Sequence, residues 1–475
     1  MPSCPCIIRV EGPFRSGWNL ITLMPRLTKR RFDALAGYIR RPEIALFCQE
    51  IEWYSEGQER VLGVLARDTA DRDFSWAILG RDRLKRFRAI DLNTSIQSIG
   101  PARRELRSRM LQHALQSDQS YFQGDEIGDP VDFFSPRQPG ENLHPSFALL
   151  LEDERYSPAR ELIASMMRYH EDLDGNFVEQ FRTAGFDARI WELYLFAALV
   201  EVGYARKPNV SVPDFVVQGL MGQLGIEAVT ANPPGTGQPP PLTSDDERTH
   251  YLQNYIPVKL AAGLKRKLQR DPPYWNEPVM RNVPFVIATQ DFHAPGAMRM
   301  IVPAATEYVF GYRHGVVDRE RQIERIIEHR VGTYAEPSGF FRLPESQNVS
   351  AVLLNPQGTL MKFNRMGFQA GFGSDRVQML RTGVLRREGQ QDGPLPRGFS
   401  QRVERHSDES WIEGMVILHN PQAAIPLDPG QLPGANHEFL QPDGRIMSLV
   451  PDFHPFFSQT SINIRGESSV ENMDG

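Results

Sequence analysis

Val210-Ser211-Val212-Pro213-Asp214-Phe215-Val216-Val217 and, a few residues on, Gly225-Ile226-Glu227-Ala228-Val229-Thr230 decide how the fold is read. Both stretches are rich in β-branched residues and read as strands, the first interrupted by a proline. Before them, Phe186–Gly203 carries Ile190, Trp191, Leu193, Tyr194, Leu195, Phe196, Leu199 and Val200. It reads as a strongly apolar helix that stops at Gly203. After them, Asp245–Arg270 reads as a helix with a break at Pro257, and Val283–Thr289 as a buried strand. Asn232–Pro241 is rich in proline and glycine and reads as an extended loop. The expected class is α/β in this centre and mixed α+β over the whole chain.

The remainder is organised around that centre. At 475 residues the chain is too long for one ordinary core, so three regions are expected: 1–150, 151–310 and 311–475. In the first, Glu43–Glu50 and Arg60–Ala66 read as a hairpin turning at Ser55-Glu56-Gly57, with a further strand over Phe74–Leu79. Gly124–His144 reads as a loop. In the last, Arg319–Arg330 reads as a charged helix. Val349–Leu354 and Thr359–Phe363 read as a hairpin around Asn355-Pro356, and Trp411–Leu418 as a strand. The tail after Gly466 reads as frayed.

Composition narrows the function. The net charge is −6, with 24% charged and 40% hydrophobic residues, as in a soluble globular protein. No apolar run is long enough for a membrane span, and the N-terminus lacks the pattern of a signal peptide. Three cysteines, Cys4, Cys6 and Cys48, are too few for a disulfide framework, so a cytoplasmic location is expected. A nonspecific nucleic-acid binder is usually basic, so any nucleic acid must meet a local patch or be delivered by a partner. The arginines at 81, 83, 86, 88, 103, 104, 107 and 109, with Lys85, offer such a patch or, equally, a solvated face paired with nearby acids.

Three carboxylates stand out. Asp214 lies in a Pro-Asp on the first strand, and Glu227 thirteen positions later on the second. Glu192 sits on the apolar helix with Leu195, Phe196 and Leu199 at i+3, i+4 and i+7, so it faces inward or pairs with Arg189. Buried carboxylates repel one another unless a cation sits among them. Oxygen donors suit Mg²⁺ or Mn²⁺. On the helix that ends near Arg270, Lys267 falls about 20° from the middle of the apolar stripe defined by Ile256, Leu260 and Leu264. Lys265 points away and Lys259 lies at the stripe's edge. A lysine so placed either has an internal acceptor or snorkels.

Glu192, Pro213-Asp214 and Glu227, followed by a helical lysine, resemble the PD-(D/E)xK restriction-endonuclease-like superfamily. The resemblance covers residues 184–292 and implies an αβββαβ core. It implies that Asp214 and Glu227 bind the catalytic metal with the carbonyl of Ala228, and that Glu192 is an accessory acid. It also implies that a lysine orients the attacking water. The family's lysine belongs at position 229, where this chain has Val229. In some members it has moved to the neighbouring helix, so Lys267 is the expected replacement, then Lys259, then Lys207. His293, after the last strand, either joins the site or caps a loop.

The resulting expectation is an Mg²⁺-dependent endonuclease acting on DNA, with a homodimer or a partner from the same system, and a role in defence against foreign DNA. The alternative is an inactive nuclease-fold protein that serves as a nucleic-acid-binding or assembly subunit.

Overall fold

The computed structural model describes residues 25–466, apart from 171, 173–174, 234–241, 318–319 and 387–396. Cys4, Cys6, most of the proline-rich loop and the tail after Gly466 therefore lie outside the described residues. The chain is mixed α+β. An antiparallel sheet comes first, in the order β1 (Arg26–Leu27), β2 (Cys48–Glu56), β3 (Val61–Asp68), β4 (Phe74–Arg81) and β5 (Phe87–Ile96). Helices α1 (Lys29–Ala36) and α2 (Ile44–Phe47) are inserted between β1 and β2. The expected strand at Glu43 thus begins only at Cys48. Helix α3 (Ile99–Ala114) lays Ala102, Leu106 and Met110 on this sheet beside Val61, Leu65, Trp76 and Ile78. The arginine-rich stretch is largely paired: Arg83 with Asp129, Arg86 with Asp82, Arg88 with Asp125, Arg103 with Glu52 and Arg109 with Asp91.

Helices α4 (Pro145–Glu152), α5 (Ser157–Met166) and α6 (Phe177–Arg182) lead into α7 (Phe186–Glu201). Gly203, at φ +88°, follows α7 in a conformation that glycine adopts without strain. Next come β6 (Ala205–Arg206), β7 (Phe215–Gly219) and β8 (Gly222–Ala231), then helices α8 (Asp245–His250) and α9 (Ile256–Leu268), and β9 (Phe285–Asp291). The element order over this stretch is α, three strands, α, strand. The first predicted strand is shorter than expected, because residues 210–214 are irregular and pairing starts after the proline. Pro257 does not break its helix. A five-residue π turn, Tyr251–Tyr255, joins α8 to α9 just before it, and the Gln253 carbonyl four residues back, to which a proline has no N–H to give, accepts from His329 Nδ1 at 2.7 Å instead.

Helix α10 (Ile301–Phe310) is followed by two small hairpins, β10 (Tyr312–Val317) with β11 (Glu320–Arg325), and β12 (Glu328–Val331) with β13 (Tyr334–Pro337). These replace the helix expected over 319–330; cross-strand pairing overrides a charge pattern that suits either state. Strand β14 (Ala351–Leu354) leads not into a hairpin but into helix α11 (Leu360–Gln369). Then follow β15 (Val377–Arg386), β16 (Arg397–Val403), β17 (Val416–His419), β18 (Asn436–Leu440), β19 (Ile446–Leu449) and β20 (His454–Ile464). The strand expected from Trp411 starts at Val416, after turns that bury Trp411 and Ile412.

Eight strands make one sheet in the order β19-β18-β17-β14-β9-β8-β7-β6. Strands β8, β9 and β14 are mutually parallel, while β7 runs antiparallel to β8 and β17 to β14. The sheet continues across residue 310, so the central and C-terminal regions share it. Alternate residues feed two cores. Phe215, Val217, Ile226 and Ala288 pack toward α7. Val216, Val229, Ile287 and Val352 pack toward α9 and α10. Trp191 is fully buried, and its indole N–H donates to the Ala288 carbonyl at 3.1 Å, fixing α7 on the sheet.

Helix α11 carries a buried ionic cluster toward the sheet β16-β15-β20. Arg365 grips Glu409 with two bonds of 2.7 Å. Lys362 lies 2.9 Å and Arg381 3.5 Å from the same carboxylate, and Arg381 also reaches Glu413 at 2.7 Å. All five side chains are buried. Burial opposes the charge on Glu409, but Arg365, Lys362 and Arg381 together hold its carboxyl well below the usual carboxylate range.

Candidate metal centre

Glu227 is the hub of the central polar cluster. It projects from β8 on the face covered by α9 and is 5% exposed. A buried carboxylate needs several donors, and it has them. The Lys267 ammonium donates to Oε1 at 2.5 Å, the Tyr274 hydroxyl to the same oxygen at 2.9 Å, and the Asp214 N–H to Oε2 at 3.1 Å. Asp214 sits one residue before β7. The register Phe215↔Ile226 sets it opposite Glu227, and its Oδ2 accepts the Ala228 N–H at 2.8 Å. Ala228 itself is buried and pairs with Ala288 of β9. Lys267 thus reaches the strands from α9, as its phase on the helix predicts.

Position 229 is buried. Val229 lies beneath Gly263 of α9, where an added Cβ would meet Val229 Cγ2 at 3.0 Å. Helix and strand are therefore in close contact there.

Glu192 behaves differently from the other two acids. Its Oε2 accepts Arg189 Nη1 at 2.7 Å, one helical turn back, and Arg189 is further held by Gln180. Burial pushes the Glu192 carboxyl up, with Glu227 adding to the rise and Arg189 opposing it. Among the described residues, one group of three acids brings its ligand atoms within 4.8 Å of one another, and that group is Asp68, Asp71 and Asp73 on the exposed β3–β4 turn. Asp214, Glu227 and Glu192 do not form such a group. The expectation of three acids converging on one ion is corrected: Asp214 and Glu227 are joined through the Asp214 N–H, while Glu192 pairs with Arg189. The Asp68 group is explained by its own turn, whose amides it accepts.

The other candidates lie elsewhere. Lys259 faces the ring of Tyr255 at 5.6 Å, and Lys265 bonds to Glu336 at 3.0 Å. Lys207 joins the ladder through its backbone, donating to Val216 at 2.8 Å. His293 is at the far end of β9, bonded to Asp291 and Tyr251. Two contributors were missed as individual residues. Tyr274 carries no periodic signal, and Arg206, whose Nη2 donates to the Asp214 carbonyl at 3.0 Å, belongs to a two-residue edge strand.

The electrostatics fit a cation. Burial, then Glu227, then Glu192, push the Asp214 carboxyl up to about 8, against the Ala228 N–H and Lys267. With no added cation, Asp214 keeps its proton near neutral pH. The donor set at the pair is all oxygen, which suits Mg²⁺ or Mn²⁺. A pH dependence follows. Because the folded carboxyl titrates above its unfolded value near 4, the folded protein holds an extra proton between about pH 4 and 8. Metal-free stability therefore falls as pH rises through that window. Thermal melts in EDTA should show the fall, and Asp214→Asn should flatten it; equal slopes in both proteins would contradict this.

Neither a family model, nor a curated protein, nor a solved structure matches the chain.

Proposed function

We propose that the chain is a divalent-cation-dependent endonuclease acting on DNA. The observation that carries the proposal is the ammonium of Lys267 at 2.5 Å from a buried Glu227 that is bonded in turn to Asp214. Asp214 beside β7, Glu227 on β8 and a lysine from the next helix support the reading by resemblance to PD-(D/E)xK nucleases, in which Lys267 would take the role that Val229 lacks. Asp214 and Glu227 would hold the cation, and Ala228 would join them through its carbonyl. When bound, a divalent cation supplies positive charge to a phosphoryl oxygen. Lys267, displaced from Glu227, would orient the attacking water and balance charge that develops at the phosphorus. Tyr274 would keep Glu227 oriented, and the Arg189–Glu192 pair would set the charge behind the pair. Defence against foreign DNA remains an extension of the same resemblance.

One observation favours a second reading. Both Glu227 oxygens already have protein donors, as expected of a site that has ceased to bind metal and serves only to bind nucleic acid. A nicking assay separates the two. Supercoiled plasmid with Mg²⁺ or Mn²⁺ should be nicked by the wild-type protein and spared in EDTA and by Asp214→Ala. Plasmid retained in a gel shift but never nicked would favour the second reading.

A further inference from the structure

Tyr251, His293 and Asp291 form a hydrogen-bonded line at the carboxyl end of β9, apart from the carboxylate pair. Asp291 is opposite Ala231 on β8, four residues beyond Glu227, so the two groups are about 13 Å apart along the strand. Asp291 and His293 are both fully buried. His293 Nδ1 lies 2.5 Å from Asp291 Oδ1, and the His293 backbone N–H donates to that oxygen at 3.1 Å. With Nδ1–H given to the carboxylate, Nε2 is left as the acceptor, and it is bonded to the Tyr251 hydroxyl.

Acid, imidazole and hydroxyl in this order are the arrangement that activates a hydroxyl nucleophile. A tie between turn and strand would need only an acceptor for the phenol. Here a second buried oxygen, Asp291 Oδ2, has no hydrogen-bond partner among the described residues, a cost that a mere tie does not explain. Tyr251 opens the π turn, and such turns recur at functional sites. Its hydroxyl group is pushed up to about 12 by burial first, then by Asp291 and Tyr255, so at rest it is a neutral phenol awaiting a base. Tyr255, stacked on Tyr251 at 5.2 Å, carries the Lys259 ammonium over its ring. Lys259 has no acidic partner among the described residues, which suits an anionic ligand.

We propose that Tyr251 is a nucleophile, with His293 as its base and Asp291 holding that base, and that its substrate is an anionic phosphate ester. In the step, the phenol oxygen bonds to phosphorus while the bond from phosphorus to the ester oxygen breaks. The phenol proton passes to His293 Nε2 and then to the departing oxygen. The assignment is independent of the carboxylate pair.

The full-length protein is treated with 4-(fluorosulfonyl)benzoate, and modified tyrosines are mapped by mass spectrometry. The phenol displaces fluoride from sulfur, with the same proton transfer to His293. Tyr255 is the internal comparator, being half-buried on the same turn with no hydrogen bond to its hydroxyl among the described residues. Tyr251 is expected to label at least tenfold faster than Tyr255, to fall to the Tyr255 rate in His293→Gln, and to be unchanged in Asp214→Ala. Bis(4-nitrophenyl) phosphate should protect it. Equal rates for the two tyrosines in the wild-type protein overturn the proposal whether or not the variant folds. A folded His293→Gln that labels at the wild-type rate also overturns it, and absence of protection overturns the phosphate assignment.

Discussion

Glu409→Ala is expected to leave the chain unable to hold its C-terminal half together at neutral pH. The substitution removes the carboxylate that faces Arg365, Lys362 and Arg381 at 2.7–3.5 Å, all of them buried. Removing one partner of a single buried pair costs about 3–5 kcal/mol, because the remaining charge has no compensation. Here three cations lose a shared partner, and among the described residues the carboxylate that remains in contact is Glu413, paired with Arg381. The loss should reach at least the top of that range, against a total stability of about 5–15 kcal/mol. Soluble yield and far-UV circular dichroism on heating would show it. A melting temperature within a few degrees of wild type would mean that the cluster contributes little. The same cluster sets an acid limit. The folded Glu409 carboxyl titrates below its unfolded value, so its contribution is complete above the unfolded range and is lost as pH falls through the lower, folded value.

Asp214→Ala and Lys267→Met should separate binding from cleavage. Asp214 is a proposed ligand, so its removal should abolish both Mg²⁺ binding and nicking. Loss of even an outer partner of a metal site costs about 10–100-fold, and loss of a ligand should exceed that. Lys267 contacts Glu227 in the present arrangement but is not a proposed ligand. Without it, nicking should fall by at least about a hundredfold while Mg²⁺ still binds. Removal also leaves Glu227 without its cation, at a cost of about 3 kcal/mol in EDTA, and Mg²⁺ should restore much of it. Nicking rates together with melts in EDTA and in Mg²⁺ test this. A Lys267→Met protein that nicks at the wild-type rate would reduce the lysine to a structural counter-ion.

Much of this centre was legible in the sequence. Helix α7 announces itself by its apolar run, β8 by Gly225–Thr230, and β9 by Phe285–Thr289. The phase of Lys267 against Ile256, Leu260 and Leu264 placed it on the sheet because α9 is a regular helix with one buried stripe. Glu192 was legible only as an alternative. Its stripe position argued for an inward side chain, and Arg189 at i−3 pairs with it at 2.7 Å.

The C-terminal third was opaque for reasons that lie in the chain. Val349–Leu354 was legible as a strand, but its partners were not: β14 is central, buried on both faces, and pairs with β9 and β17 from distant parts of the chain instead of with Thr359–Phe363. Leu360–Gln369 buries polar groups, Lys362, Asn364, Arg365 and Gln369 among them, because their partners come from residues up to about 210 positions away, such as Ala159, whose N–H donates to Asn364. No local pattern encodes such partners. Over 319–330 the charged residues fit a helix surface and an exposed hairpin equally well, and only the pairing of β10 with β11 decides between them.

The most direct measurement is an anomalous difference map from crystals soaked in Mn²⁺. The account predicts a peak between the carboxylates of Asp214 and Glu227, with Lys267 moved off Glu227 and no peak there in Asp214→Ala. A map whose only peak lies at Asp68, Asp71 and Asp73, or one that leaves Lys267 on Glu227 with no metal beside it, would contradict the account.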